Sequence, residues 1–195
     1  MQYMKKTAKL FVSVLCVIMM LVLITGCGGN SNEGGSSNSK SKSRGNYDVF
    51  ETIKRIDVKG TIADINKLIG FEGTVKSQSD SNSIYKWTLY RWELTDDTAI
   101  EVKYYDSTST MYVEAYYPND MIKNKKVNLS DVKKQIKVGT TTYEEAVKAL
   151  GGVEGTLDKK DNTELTYVWV NANGGSITIR FSATSGKCVS YNGVF

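Results

Sequence analysis

The side chains that could do chemistry in this chain are few, and they sit in short clusters. Asp96-Asp97 lies inside Thr95-Asp96-Asp97-Thr98, between two stretches of alternating apolar residues. A carboxylate pair can hold calcium or divide acid and base duties, but a turn rich in Asp and Thr forms without either. Glu144-Glu145 fits the first turn of a helix, where negative charge complements the macrodipole. Ser185-Gly186 has no base partner and is not a nucleophile elbow. Cys188, the one cysteine after residue 46, is read as a small buried hydrophobe. The chain has no histidine, which excludes Ser-His-Asp and Cys-His catalysis and His-ligated zinc within it. Phosphate-binding and dinucleotide-binding glycine patterns are also missing from the sequence. No catalytic residue, metal ligand or cofactor is assigned, and the chain is expected not to be an enzyme.

The charge balance points the same way. Of 25 basic and 21 acidic residues, Lys5, Lys6, Lys9, Lys40, Lys42 and Arg44 precede residue 47, against Glu33 alone. The remainder carries a formal charge of −1, so the basic pI belongs to the N-terminal segments and no nucleic-acid partner is implied. Residues 1–26 read as a signal peptide: a basic start, the apolar run Leu10–Ile24, then small residues. The apolar run is short for a membrane span, which needs about 20 residues. Ile24-Thr25-Gly26-Cys27 resembles the lipobox of bacterial lipoproteins. That resemblance implies cleavage before Cys27 and a lipid on its sulfur. It also implies attachment to the extracytoplasmic face of a cell membrane. Residues 27–46 then form the lipidated cysteine and a tether of Ser, Gly and Asn, a flexible coil spanning roughly 24 Å.

The positions that follow repeat. Glu72-Gly73-Thr74 recurs as Glu154-Gly155-Thr156, and at the same offset Tyr85 and Trp87 meet Tyr167 and Trp169. Ile100-x-Val102-x-Tyr104 matches Ile177-x-Ile179-x-Phe181 at a smaller offset, so the first copy carries a longer hairpin loop. Two copies are read, at 47–124 and 125–195. In the first, helices are expected near Val49–Arg55 and over Ile62–Ile69, and strands over Ser83–Leu94, Ala99–Tyr105 and Met111–Tyr117. In the second, the periodicity and caps predict helices Asp131–Lys137 and Tyr143–Leu150. Strands are expected over Leu165–Asn171, Ser176–Ser182 and Lys187–Tyr191, with a short one near Glu154–Leu157.

Helices followed by strands argue for an α+β layer fold: a tandem repeat of two units, each with two short helices packed on an antiparallel β-meander. The run Ile136-x-x-Gly139-x-x-x-Tyr143-Glu144-Glu145, closed by Leu150-Gly151, resembles the tandem-repeat fold of β-lactamase inhibitor proteins. Tyr167-x-Trp169 and Ile177-x-Ile179-x-Phe181 extend the likeness. The same order is similar to that of small outer-membrane assembly lipoproteins with a single copy. The resemblance implies that the open sheet face binds a protein partner.

The aromatic strands supply the candidate site. In Ser83–Leu94, Tyr85, Trp87 and Leu89 fall on one face, and Ile84, Tyr90 and Trp92 on the other. One layer of short helices cannot cover both, so one face is expected to leave rings in water. Tyr, Trp and Arg are the types that dominate binding hot spots. Tyr90, Arg91, Trp92, Tyr105, Tyr112 and Tyr116 are the candidates, although the same rings could instead cross-pair to stabilise the sheet. The expected function is non-catalytic: binding a protein as an inhibitor, scaffold or envelope-assembly factor. The alternative is binding or sensing of a small ligand or cell-wall glycan.

Overall fold

Asp48 opens the first helix, α1 (Val49–Arg55), by accepting from the amides of Phe50 (2.8 Å) and Glu51 (3.2 Å). That satisfies two of the orphan N–H groups of a helix start. Helix α2 (Ile62–Ile69) starts on a capping box between Thr61 and Asp64. It stops at Gly70, whose φ of 83° suits a residue without a Cβ. Helix α3 (Val132–Gln135) is a single turn, and α4 (Tyr143–Ala149) begins on a second capping box, Thr142 with Glu145. The computed structural model describes residues 47–130 and 132–194. The expected signal peptide, Cys27 and the tether to residue 46 lie outside the described residues. So does Asp131, the expected first residue of the third helix.

Nine strands carry most of the chain. They are β1 (Thr74–Gln78), β2 (Trp87–Glu93), β3 (Ala99–Tyr105), β4 (Thr110–Tyr116), β5 (Lys123–Asn124), β6 (Thr156–Lys160), β7 (Glu164–Asn171), β8 (Ser176–Ser182) and β9 (Cys188–Val194). They form one sheet in the order β1-β2-β3-β4-β6-β7-β8-β9, with β5 pairing parallel to β7. The other pairs are antiparallel.

The expected architecture is therefore corrected. The described residues hold one continuous β-sheet with four short helices, not two units of helices on separate meanders. The join is made by β4 and β6, through Val113 with Lys160 and Glu114 with Lys159. The short strand expected near Glu154–Leu157 in fact runs from Thr156 to Lys160. Each lysine finds a partner across the join: Lys159 Nζ lies 2.6 Å from Glu114 Oε1, and Lys160 Nζ donates to the carbonyls of Lys54 and Ile56. Those carbonyls belong to the end of α1, so a buried lysine caps a helix C-terminus. Burial holds its ammonium below the usual lysine range.

Apolar residues of the helices gather on one face of the sheet. Val49, Ile53, Ile65 and Ile69 pack with Trp92, Ile100, Val102 and Val113. Val132, Ile136, Ala146 and Leu150 pack with Trp169, Ile177, Ile179 and Phe181. The strand pairings put all of these sheet residues on the same side, because alternate residues of a strand face opposite ways.

Candidate functional site

The opposite side of the sheet carries no helix among the described residues, and its side chains form an ordered polar row. Arg91 pairs with Glu101, Glu101 with Glu114, Glu114 with Lys159, Lys159 with Thr166, Thr166 with Arg180, and Arg180 with Ser190. One register line thus crosses seven strands, from β2 to β9. Antiparallel register places each of these side chains beside its neighbour.

Contacts along the row are close. Arg91 donates from Nε to Glu93 Oε1 at 2.7 Å and from one terminal nitrogen to Glu101 Oε1 at 2.9 Å. Its guanidinium also lies over the Tyr116 ring, 4.7 Å from the centroid. The Glu93 bond, then that to Glu101, holds the guanidinium protonated even more firmly than usual. Glu114 and Lys159 continue the row, and Arg180 closes it, 3.1 Å from Glu164 and 2.6 Å from Ser190 Oγ. A row above, Lys103 Nζ sits 4.0 Å over the Trp87 ring and 5.6 Å from the Tyr105 centroid. Cations over aromatic faces contribute about 0.5–1 kcal/mol each at exposed sites.

Beside the join between β4 and β6 the face is concave. A groove of about 370 Å³ is lined by Tyr112, Lys159, Asp161, Glu164, Thr166, Thr178 and Arg180, among others. Burial, then the nearby Glu114 carboxylate, pushes the Tyr112 hydroxyl above the usual tyrosine range. Its phenol therefore stays neutral throughout the ordinary pH range.

The structure divides the six sequence candidates. Arg91, Tyr105, Tyr112 and Tyr116 stand together on the helix-free face, where Tyr116 is 39% exposed. Trp92 does not: it is 0% exposed, packs under the helices and donates its indole N–H to Asn66 Oδ1 at 3.0 Å. Tyr90 is half-buried against the same core, its ring centroid 6.0 Å from that of Trp92. Sequence reading missed Trp87, Lys103, Glu101, Glu114, Lys159 and Arg180. Alternation along β2 separates Trp87 from Trp92. It does not say which of the two faces the helices cover.

Two of the clusters weighed for catalysis lie in a closed turn and in the first turn of a helix. Around Asp96-Asp97 the turn is closed by Thr95 and Thr98, whose hydroxyls lie 2.7 Å apart. Glu145 completes the cap of α4. Cys188 is buried, and burial raises its thiol above the usual cysteine range. No group of His, Cys, Asp and Glu that could hold a metal ion occurs among the described residues, nor a helix there long and apolar enough to cross a membrane. Comparison with protein-family models, with curated proteins and with solved structures found no match to this chain.

Proposed function

We propose that this chain is a lipid-anchored, extracytoplasmic binding protein that is not an enzyme, and that the helix-free sheet face engages a protein partner. The observation that carries the reading is Tyr116, part-exposed and clamped beneath the Arg91 guanidinium, which Glu93 and Glu101 hold in turn. Rings and guanidinium groups fixed before binding lose little entropy when a partner arrives. They are also the types that carry interface energy. The lipid on Cys27 and the tether belong to the same reading, and rest on the lipobox pattern and composition alone.

The test is crosslinking capture from intact cells. The wild-type protein is compared with a Tyr116→Ala, Trp87→Ala variant of matched expression and melting temperature. A defined protein recovered with wild type and lost with the variant supports the reading. Equal recovery with both removes the aromatic face from the binding site.

The groove of about 370 Å³ favours a second reading. It falls within the usual size of small-ligand sites and offers carboxylate, hydroxyl and cationic groups around a tyrosine ring. A thermal shift with soluble cell-wall fragments, lost on Tyr112→Ala, would make the chain a glycan or small-ligand binder instead.

A further inference from the structure

The two ends of the sheet are built differently. Strand β1 is exposed throughout, carries Lys76 and has an irregular register between Val75 and Ser77. A charge and a bulge are the ordinary ways of stopping another strand from adding to an edge. Strand β9 has neither defence over its last five residues, Ser190-Tyr191-Asn192-Gly193-Val194. They are uncharged and follow β8 in unbroken register.

This edge already accepts backbone partners from its own chain. Cys188 donates its amide to the Thr141 carbonyl at 2.7 Å, and its carbonyl accepts from Gly139 at 2.8 Å. Thr142 also bridges Lys187. Beyond Cys188, no strand among the described residues pairs with the outer side of β9. Val194 at its end is 72% exposed.

We infer that the β9 edge pairs with β9 of a second copy of this chain, antiparallel about a two-fold axis through Asn192. A two-fold contact requires one surface to complement itself, and this strand does so in that register. Asn192 meets Asn192, amide to amide. Ser190 meets Val194. Tyr191 meets Gly193 on the helix-covered face, where the Tyr191 ring already packs against the core. An aromatic ring opposite a glycine is a stabilising edge pair, because the ring covers the backbone that glycine leaves bare. No like charges meet across the axis, since the strand has none. The sheet then runs unbroken through both copies, with helices on one side and both helix-free faces on the other. The inference does not depend on what those faces bind.

Full-length protein in its own membranes provides the test, with copper phenanthroline as the oxidant. Opposed residues of an antiparallel pair lie about 4.5–5.5 Å apart, within disulfide reach. Asn192→Cys should therefore form a covalent dimer rapidly. Ser190→Cys should not, because its twin lies four residues along the partner strand, about 13 Å away. Both variants keep the native cysteines, so the comparison cancels their background. Separately, Asn192→Lys puts like charges on the axis. It should abolish the dimer seen by light scattering in detergent while leaving the circular dichroism spectrum unchanged. Equal crosslinking at 190 and 192 overturns the inference. So does a wild-type monomer at high concentration, or a crosslink from residue 192 to some other protein. If Asn192→Lys fails to fold, Asn192→Asp places like charges at the same point on the axis.

Discussion

Gly73 lies flat against Trp92: a Cβ added to it would stand 2.4 Å from the indole ring. Gly155 lies against Trp169 in the same way, at 2.5 Å. Both glycines belong to the two Glu-Gly-Thr stretches, and both indoles are buried with the N–H bonded, to Asn66 Oδ1 and to the Val153 carbonyl. Overpacking a filled core costs about 1–3 kcal/mol, and both rings are buried. Gly73→Ala and Gly155→Ala should each lower the unfolding free energy in urea by about that amount. A change below about 0.5 kcal/mol at either site would mean that the indole moves freely.

The same contact shows why the chain was only partly legible from sequence. Matching Glu72-Gly73-Thr74 to Glu154-Gly155-Thr156 led to Trp87 as the counterpart of Trp169. The packing makes it Trp92. Thr74 pairs with Arg91, next to Trp92, and Thr156 pairs with Val168, next to Trp169. The extra residues of the first stretch therefore lie between β1 and β2, not after Trp87. Local signals worked where the cause was local: α1 and α2 fall where the first copy was expected to carry helices, and Ala99–Tyr105 and Ser176–Ser182 have the expected bounds. Strand β1 was missed because Thr74–Gln78 buries nothing and shows no alternation. The single sheet was missed because its join rests on Lys159 and Lys160, whose partners are far away in sequence.

Lys160 should therefore be worth more than a surface lysine. Its ammonium satisfies two carbonyls at the end of α1, with 8% of the residue exposed. Lys160→Met keeps most of the stem but leaves both carbonyls without their donor. A buried acceptor left unsatisfied costs about 1–3 kcal/mol. Urea unfolding should show a loss in that range, whereas Lys187→Met, an exposed site, should change stability by less than about 0.5 kcal/mol.

The two faces of β2 should respond oppositely to truncation. Trp92→Ala empties a buried site and should cost about 3–5 kcal/mol. Arg91→Ala removes two part-exposed ion pairs and a cation over Tyr116, which together contribute about 1–2 kcal/mol. Thermal unfolding of both variants checks this. A melting temperature lowered as much by Arg91→Ala as by Trp92→Ala would mean that the polar row holds the sheet together, not that it lies ready for a partner.

Alkaline pH should destabilise the fold through its tyrosines. Burial is the main cause that pushes the Tyr143 hydroxyl up to about 12, and burial followed by the adjacent Asp158 carboxylate raises Tyr117 further. In the unfolded chain both phenols ionise near 10. Between pH 10 and 12 the unfolded state therefore binds fewer protons than the native state, and unfolding free energy falls as pH rises. The stabilisation is complete below pH 10 and is lost as pH climbs toward 12. Tyr143→Phe keeps the ring contacts with Tyr167, Trp169 and Phe181 and removes the ionising group. It also removes the hydroxyl that accepts from the Gly155 amide, so the variant should start out less stable at pH 8. The gap between wild type and variant, followed by urea unfolding, should then shrink steadily from pH 10 upward. Lysines and other tyrosines that titrate in this range are common to both proteins and cancel in the difference. A gap that stays constant to pH 12 would place the Tyr143 hydroxyl in water rather than in the core.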